Sequence, residues 1–505
     1  MRKSGILLPI FSLPSPYGIG TLGRESYRFV DFLKDAGQSY WQILPLHPTG
    51  YGDSPYQSFS SFAGNPYFID LDLLREEGLL TAAELQSADF GQDARRVDYG
   101  KQYENRYPLL RLAFMRFSRT AGDAFDAFCA KEQSWLDDYA LFMALKNAAC
   151  GAAWNRWSSA LRRREPSAMA EARETHRQEI RFWQFLQFQF FRQWHDLQAY
   201  AHRQGIEIIG DIPMYVAYDS ADVWAEPQQF LLDASGQPTV VAGCPPDGFS
   251  ADGQLWGNPI YDWQYQKTAA PPYGWWERRL SHAMRLYDVV RIDHFRGFEA
   301  FYAIPFGAEN AKEGQWMQGP GAALFQNLQA ALGDLPIIAE DLGFLTPEVK
   351  ALLAAVGYPG MKVLQFAFDT REESDYLPHN YEKHCVVYTG THDNDTVLGW
   401  AQHAAPAEVE HAKRYLHMAS EDSLNWCMMR AASASVADTV ILMMQDLLGL
   451  GSEGRINTPS TLGGNWTWRV ESGCVNRWLA GILRDMTALY GRLPDTEEQQ
   501  PSKTK

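Results

Sequence analysis

The sequence predicts an α/β fold, a (β/α)8 TIM barrel that carries inserted helical and loop-rich subdomains. Eight short apolar runs bounded by turn residues recur along the chain. Amphipathic stretches with helical periodicity follow several of these runs, and acidic residues stand at the ends of four of them. Strands that alternate with helices are typical of a closed parallel sheet, whose active site lies at the carboxyl ends of its strands.

The apolar runs have the length of strands and are rich in β-branched and aliphatic residues. They cover residues 4–10, 40–46, 206–212, 288–293, 335–340, 361–368, 385–391 and 438–445. Amphipathic helices are predicted at residues 27–36 and 346–356. The second begins well, since Thr346 supplies an N-cap hydroxyl and Pro347 suits the first helical position. An open doubly wound sheet is the alternative architecture.

Two segments are too long to be simple crossovers between strands. Residues from about 65 to about 184 are predicted to form a mainly helical insertion. Residues from about 214 to about 276 are rich in Gly, Pro, Asp and Trp and are expected to form irregular loops over the barrel mouth. We expect residues 1–493 to form a single catalytic barrel and the polar residues 494–505 to form a disordered tail.

The amino-acid composition argues against some classes of binding partner. Acidic residues outnumber basic ones by 61 to 45, which argues against binding to nucleic acid or to an anionic membrane surface. No apolar run approaches the roughly 18 residues of a membrane span, and the N-terminal apolar stretch is interrupted by Pro9. The six cysteines are scattered without metal-binding spacing. We therefore expect a cytoplasmic protein with reduced thiols.

The carboxylates at the predicted strand ends are the strongest functional signal. Asp211, Asp293 and Glu340 each end an apolar run, and Asp393 follows another. Each carboxylate taken singly is more simply a helix cap or an ion-pair partner. Four that converge on one barrel rim are costly unless they do chemistry, so their grouping predicts an active site.

Arg291 lies two residues before Asp293, so strand alternation points both side chains inward. A guanidinium there would keep Asp293 ionised, as a nucleophile must be. Glu340 would lie against other carboxylates, which raises its pKa and suits it to protonating a leaving oxygen. Two carboxyl groups in different protonation states are what retaining glycoside cleavage needs.

No cofactor or metal is predicted. Residues 18–23 contain the spacing G-x-G-x-x-G, but residues 13–16 separate it from the preceding strand, and no acid follows at a second strand end. His392 beside Asp393 has no further ligands at fixed spacing, so a metal site is not expected.

Three loop segments combine aromatic residues with Asn, Asp and Gly. They are residues 52–57, residues 245–250 continuing to 256–259, and residues 457–460 continuing to 463–466. As structural turns they need no further explanation. As a sugar site they would supply stacking planes and hydrogen-bond partners for vicinal hydroxyls.

With these motifs in place, the sequence resembles the amylomaltases, 4-α-glucanotransferases related to the α-amylase superfamily, over nearly its whole length. The matching motifs are Ser54-Pro55-Tyr56, Gly210-Asp211-Ile212-Pro213, Leu255-Trp256-Gly257-Asn258-Pro259, Arg291-Ile292-Asp293-His294, Ala339-Glu340-Asp341-Leu342-Gly343, Thr391-His392-Asp393-Asn394-Asp395 and Gly464-Asn465-Trp466. The C-terminal β-sandwich of typical α-amylases is not expected, since about sixty residues follow the eighth run.

The resemblance implies a role for each matched residue. Asp293 is expected to be the nucleophile, Glu340 the general acid/base, and Asp393 the stabiliser of the distorted sugar. Substrate contacts are expected from the matched or neighbouring residues Tyr56, Asp211, Phe249, Trp256, Arg291, His294, His392 and Asn465. The implied donors are maltooligosaccharides and α-1,4-glucans, and the implied acceptors are glucose or a maltooligosaccharide.

Two alternatives remain at this point. A retaining α-glucan hydrolase would use the same carboxylates, because water and a sugar hydroxyl compete for one glycosyl-enzyme. A non-catalytic glucan-binding barrel is the alternative from another class. The trio Asp293, Glu340 and Asp393 speaks against it, because binding needs no strong acid beside a strong base.

Overall fold

The computed structural model describes residues 2–50, 52–119, 122–246, 251–343, 345–371 and 374–494. Its centre is a sheet of eight parallel strands: β1 (Lys3–Leu7), β2 (Tyr40–Gln42), β3 (Glu207–Ile212), β4 (Val289–Ile292), β5 (Ile337–Ala339), β6 (Gly360–Val363), β7 (Cys385–Tyr388) and β8 (Thr439–Met443). They pair in the order β6-β7-β8-β1-β2-β3-β4-β5. The backbone N–H of Ala339 donates to the carbonyl of Pro359 at 3.0 Å and joins β5 to β6. The predicted barrel is confirmed, and the open doubly wound sheet is wrong.

Each predicted apolar run contains a barrel strand, but the strands are shorter than the runs. β2 ends at Gln42, whereas the run predicted a strand to residue 46. Ile43, Leu44 and Leu46 are nonetheless buried, with exposed fractions of 0%, 3% and 1%. Apolar patterning reports burial, and residues beyond the hydrogen-bonded ladder still pack into the top of the barrel.

Helices surround the barrel. The α-helices outside the β2–β3 and β3–β4 connections are Arg24–Asp35, Ala322–Leu332, Pro347–Val356, Val397–His403, Pro406–Tyr415, Leu424–Ala434, Met444–Leu447 and Arg477–Leu489. Thr346 caps its helix as predicted, accepting the N–H of Val349 at 3.4 Å. Between β6 and β7 the described residues form only the 3-10 turns Leu364–Phe366 and Pro378–Asn380. The sixth crossover therefore departs from strict strand–helix alternation.

The chain between β2 and β3 is helical. Its helices are Leu71–Glu76, Ala82–Ser87, Tyr99–Lys101, Tyr107–Phe117, Asp123–Ala148, Ser159–Arg162, Pro166–Thr175 and Arg177–Arg203, with a π-helical turn at Gln102–Arg106 and 3-10 turns at Pro66–Phe68 and Trp154–Arg156. The last helix passes through the predicted boundary at residue 184. Its second half also packs against the barrel. There Trp194 donates its indole N–H at 3.2 Å to the carbonyl of Leu286, which ends the helix that precedes β4.

A second, antiparallel sheet lies in the β3–β4 and β4–β5 connections. Its strands are Gln254–Pro259, Val240–Cys244, Ala300–Pro305 and Gln315–Gln318, in that spatial order. The helices of the β3–β4 connection are Ala221–Ala225, Trp263–Thr268 and Gly274–Leu286, with a 3-10 turn at Pro227–Gln229. The expectation of irregular loops over residues 214–276 was wrong in this respect. Short strands that contain Gly and Pro give a weak alternating pattern, and the central pairing joins Val240–Cys244 to the distant strand Ala300–Pro305.

Among the described residues, none of the helices is both long enough and apolar enough to cross a membrane. The barrel interior is filled by buried side chains such as Leu7, Ile209 and Ile441, each with an exposed fraction of 0%. A filled barrel has no pore, so a site can form only at its open end, where the loops that follow the strands converge.

Candidate active site at the carboxyl ends of the barrel strands

Three of the four predicted carboxylates stand on three neighbouring strands of the barrel. Asp211 is the penultimate residue of β3, Asp293 directly follows β4, and Glu340 directly follows β5. The backbone N–H groups of Asp293 and Glu340 continue the ladder, donating at 3.0 Å to Ile212 and Ile292 respectively. The sheet therefore fixes these positions before any side chain takes part.

Arg291 carries the positive charge of the site. Its Nη1 lies 2.6 Å from Asp211 Oδ2 and 3.1 Å from Asp293 Oδ1. Arg291 is opposite Asp211 in the β3–β4 register, so the first contact is a cross-strand pair and the second is the predicted pair along one strand. Burial alone would lower the pKa of Arg291, but Asp211 and Asp293 raise it well above its usual range. The guanidinium stays charged.

Burial and the charge of Arg291 shift the pKa of Asp293 in opposite directions. Its side chain keeps 31% of its exposure at the barrel mouth. Removal from water raises the pKa of Asp293 above its ordinary value, and Arg291 opposes that rise. Because Arg291 is shared with Asp211, its charge does not fully offset the effect of burial on the pKa of Asp293. Arg291 therefore favours the ionised state of Asp293 less strongly than the sequence predicted.

Glu340 is held by backbone amides and has a strongly shifted pKa. His294 donates its backbone N–H to Oε2 at 2.7 Å, and Leu342 donates to Oε1 at 2.9 Å. Burial first, and the charge of Asp293 second, raise the pKa of Glu340 to about 7. Arg291 and the two amides lower it, but less. At neutral pH the group can both give and take a proton, as a general acid/base must.

Asp393 lies in the loop after β7 and is the most open of the four carboxylates, with 45% of its side chain exposed. Asn457 donates its side-chain amide to Asp393 Oδ1 at 2.7 Å, and Arg455 donates to the backbone carbonyl of Asp393 at 2.9 Å. The Nε2 atom of His392 lies 3.4 Å from the same Oδ1. Asp393 is therefore oriented by neighbours while its second oxygen stays available.

Tyr56 closes one side of the site. Its hydroxyl donates to Asp211 Oδ2 at 2.9 Å. Its ring stacks on His392 with centroids 5.0 Å apart and 16° between the planes, and Trp466 packs on both rings at 5.7 and 5.9 Å. Burial, reinforced by the charge of Asp211, raises the pKa of Tyr56 well above its usual range. The phenol therefore stays a hydrogen-bond donor.

Trp256 and His294 form the wall beside Glu340. Their rings meet edge to face with centroids 4.8 Å apart, and Tyr215 lies 6.3 and 6.2 Å from them. Burial lowers the pKa of His294 to about 3, so its imidazole is neutral. His294 has a left-handed backbone (φ 52°), which is unusual for a residue other than glycine, and its backbone N–H donates to Glu340.

Two predicted contact residues are not placed in the centre of the site. Asn465 accepts the N–H of Thr458 at 3.0 Å and donates to Oγ1 of Thr461 at 3.1 Å, so its amide organises the loop 458–465 in this structure. Phe249 lies outside the described residues. Both contacts stay predictions.

Several residues around the site were missed by reasoning from the sequence. Asn457 orients Asp393, and Trp466 and Tyr215 pack against predicted site residues. Asn457 and Trp466 fall within a segment that composition had marked as sugar-site-like, so a signal was present. Met361, which contacts Arg291, lies inside an apolar run and gave no signal.

The arrangement has the components of a retaining glycosyl transfer. A carboxylate beside a cation can attack an anomeric carbon, and a second carboxyl group with a pKa near neutrality can protonate the departing oxygen. Stacked aromatic rings and hydrogen-bond donors around them suit a sugar chain better than an ionic ligand.

Comparison with known proteins agrees with this chemistry. A family model described as 4-alpha-glucanotransferase matches residues 8–475. The 4-alpha-glucanotransferase of Thermus thermophilus is 51% identical over 503 residues, covering 97% of this chain and 99% of the relative. That of Clostridium butyricum is 48% identical over 486 residues, covering 96% and 99% respectively.

Solved structures give the same result. The amylomaltase from Streptococcus agalactiae, solved in complex with acarbose, superposes with a TM-score of 0.95 at 42% identity, covering 98% of this chain and all of that one. The amylomaltase from Corynebacterium glutamicum has a TM-score of 0.76 at 19% identity, covering 98% of this chain and 75% of that one, and supports the fold alone. The chain belongs to the 4-α-glucanotransferase family and is an enzyme that transfers segments of α-1,4-glucan.

Proposed function

We propose that Asp293 is the nucleophile of this transferase, that Glu340 is its general acid/base, and that Asp393 holds the hydroxyls of the distorted sugar. The observation that carries the assignment is the contrast between two carboxyl groups on adjacent strand ends. Asp293 is 3.1 Å from a buried guanidinium, whereas burial and the charge of Asp293 raise the pKa of Glu340 to about 7. One group is prepared to attack and the other to carry a proton.

In the first step a carboxylate oxygen of Asp293 forms a bond to the anomeric carbon of the donor. The bond from that carbon to the leaving 4-oxygen breaks, and Glu340 gives its proton to that oxygen. In the second step the 4-hydroxyl of an acceptor attacks the same carbon and breaks the ester to Asp293. Glu340 takes the proton of that hydroxyl, so one glycosidic bond replaces another.

The change of role at Glu340 has an electrostatic cause. Ester formation removes the negative charge of Asp293, which contributes to the raised pKa of Glu340. The pKa of Glu340 then falls, and the group becomes a base when the acceptor arrives. The amides of His294 and Leu342 favour the ionised state throughout, so the switch needs no movement of the backbone.

We propose maltooligosaccharides and α-1,4-glucans as donors, and glucose or a maltooligosaccharide as acceptor. The acarbose bound by the Streptococcus agalactiae protein supports a site of this class. Asp293 and Asp393 keep 31% and 45% of their side chains exposed at the barrel mouth, so a sugar can contact both carboxylates there.

The neighbours of Glu340 belong to the acceptor side, because the acid/base group must face the leaving oxygen. We therefore assign Trp256 and His294 to the acceptor side. Tyr56, Asp211, Arg291 and His392 are assigned to the donor side. Asn465 is proposed as a further donor-side contact, and Phe249 as a contact from a loop that covers the groove.

We also propose that residues 1–493 act as one catalytic unit in the cytoplasm. The long helix Arg177–Arg203, shared by the helical insertion and the barrel, supports the single unit. All six cysteines lie in the described part of the chain, and none of them forms a disulfide there, which suits a reducing compartment.

Maltotriose as the only substrate tests the reaction. We expect glucose and a ladder of longer maltooligosaccharides, with total reducing ends nearly constant, because each bond broken is replaced by one formed. A rise in reducing ends that keeps pace with the loss of maltotriose would identify a hydrolase. No product at all, with the sugar still binding, would support a non-catalytic barrel.

A further inference from the structure

Arg291 makes a contact with a methionine that the mechanism above does not use. Its Nε donates to the thioether sulfur of Met361 at 3.4 Å. Both side chains are buried, with exposed fractions of 3% and 1%. Met361 lies on β6 and Arg291 lies on β4. These strands are not neighbours, because β5 lies between them, so the contact reaches across the barrel interior past β5. Nη1 of the same guanidinium is the atom shared by Asp211 and Asp293.

The chemistry of the acceptor suits this place. A thioether is a weak, uncharged acceptor, so it can orient the Nε–H without neutralising the cation. A carboxylate at this point would compete with Asp293 for the charge of Arg291. An aliphatic side chain would leave the Nε–H unpaired in a buried position and would leave the guanidinium free to rotate about its last torsion.

Met361 is itself fixed through Asp341, the residue after Glu340. Asp341 Oδ1 accepts the backbone N–H of Met361 at 2.6 Å. Strand β5 ends at Ala339, so this carboxylate supplies the acceptor for the next N–H of β6 across the β5–β6 junction. A Cβ atom at Gly360 would lie 2.4 Å from Asp341 Oδ2, so only glycine leaves room for the carboxylate.

We propose that Met361, held by Asp341, is a positioning residue that fixes the guanidinium of Arg291 on Asp211 and Asp293. This inference rests on the proposed role of Asp293 as nucleophile. The carboxylate of Asp341 thereby links the strand end that carries Glu340 to the anchor of Arg291. Glu340 and Arg291 are therefore held in a fixed position relative to each other.

Two substitutions at Met361 separate positioning from packing. Met361→Leu removes the acceptor and keeps an apolar side chain of similar volume. Met361→Gln keeps a chain of similar length and offers a carbonyl oxygen to the Nε–H, but it also buries an amide NH2. If Met361 contributes only packing, the glutamine variant should be both less stable and less active than the leucine variant. If Met361 positions Arg291, the glutamine variant should be the more active of the two.

The experiment measures kcat, KM and pH dependence for maltotriose disproportionation, together with the Tm of each variant. For Met361→Leu we expect kcat to fall roughly tenfold, as for loss of one hydrogen bond to a charged group, with KM within about twofold. The acidic limb of kcat/KM should move to higher pH, because a displaced Arg291 lowers the pKa of Asp293 less. Met361→Gln should restore most of kcat and the acidic limb despite a lower Tm.

Met428→Leu is the matched control, since this fully buried methionine lies on the helix Leu424–Ala434. It should leave kcat and the acidic limb unchanged. Equal kcat for the two Met361 variants, or an unmoved acidic limb in Met361→Leu, overturns the proposal. If the wild type fails to disproportionate maltotriose, the proposed function fails instead. Crystal structures of the two variants then still decide whether Arg291 leaves Asp293 in Met361→Leu and stays in Met361→Gln.

Discussion

The backbone N–H of His294 donates to the carboxylate of Glu340 at 2.7 Å, which joins the end of β4 to the end of β5. The backbone of His294 is left-handed at this contact, with a φ of 52°. With the N–H of Leu342 on the other oxygen at 2.9 Å, this hydrogen bond fixes the direction of the carboxyl group. The residue that follows the proposed nucleophile, Asp293, therefore orients the proposed acid/base, Glu340.

Donor cleavage should be lost as the pH rises through the pKa of Glu340, which burial and Asp293 raise to about 7. The first step needs protonated Glu340, so kcat/KM for maltotriose should show a basic limb near that value. α-Glucosyl fluoride is the control substrate, because fluoride departs without a proton. Its kcat/KM should lack this limb, and a basic limb of equal position with both substrates would contradict the assignment.

Substitution should separate the roles proposed for Asp293 and Glu340. Asp293→Asn should abolish glycosylation by every donor, since no nucleophile remains. Glu340→Gln should cleave maltotriose very poorly but still react with α-glucosyl fluoride, and then stall, because its amide cannot deprotonate the acceptor. Mass spectrometry should find a glycosyl ester on the peptide that contains Asp293. A label on Asp211 or Asp393 would show that the nucleophile is assigned wrongly.

The separation of the two catalytic carboxyl groups should match a retaining enzyme. In a crystal structure with a bound glucan analogue we expect the carboxyl groups of Asp293 and Glu340 to be about 5–5.5 Å apart across the scissile bond. A separation of roughly 9 Å would leave room for a water molecule and indicate inversion. That result would exclude transfer through an ester of Asp293.

Tyr56→Phe should weaken the site without removing its stacking. The variant loses the hydrogen bond to Asp211 at 2.9 Å and keeps the ring that lies against His392. We expect kcat/KM for maltotriose to fall by about tenfold, the effect of one hydrogen bond of roughly 1–1.5 kcal/mol. Tyr200→Phe is the control, since its hydroxyl donates to Asp31 between two helices outside the barrel. An equal loss in both variants would point to a general effect of removing a phenol.

Asn457→Asp should harm catalysis more than Asn457→Ala. The amide of Asn457 donates to Asp393 Oδ1 at 2.7 Å, so a carboxylate there replaces an attraction by a like-charge contact. We expect kcat to fall by about 100-fold for the aspartate variant and about tenfold for the alanine variant. Activity of the aspartate variant should recover partly at lower pH, where one of the two carboxyl groups is protonated. Equal activity of the two variants at all pH values would contradict an orienting role.

Much of the framework could be predicted from the sequence because it depends on local periodicity. The eight apolar runs located all eight barrel strands, and Thr346 marked the start of its helix. The two-residue spacing of Arg291 and Asp293 placed both on one face of a strand, and their contact at 3.1 Å confirms that prediction. A residue's place on a strand is set by its immediate neighbours, so pattern and chemistry together identified the carboxylates.

Contacts between distant segments, and the removal of side chains from water, were decided only by the tertiary structure. No pattern linked Met361 to Arg291 or Asn457 to Asp393, since each pair meets only when the barrel and its loops assemble. The second sheet escaped prediction partly for this reason, since its central pairing joins Val240–Cys244 to Ala300–Pro305. The direction of the pKa shift at Glu340 could be predicted from the crowding of carboxylates, but a pKa of about 7 depends on how deeply the barrel mouth buries the group and how near Asp293 lies.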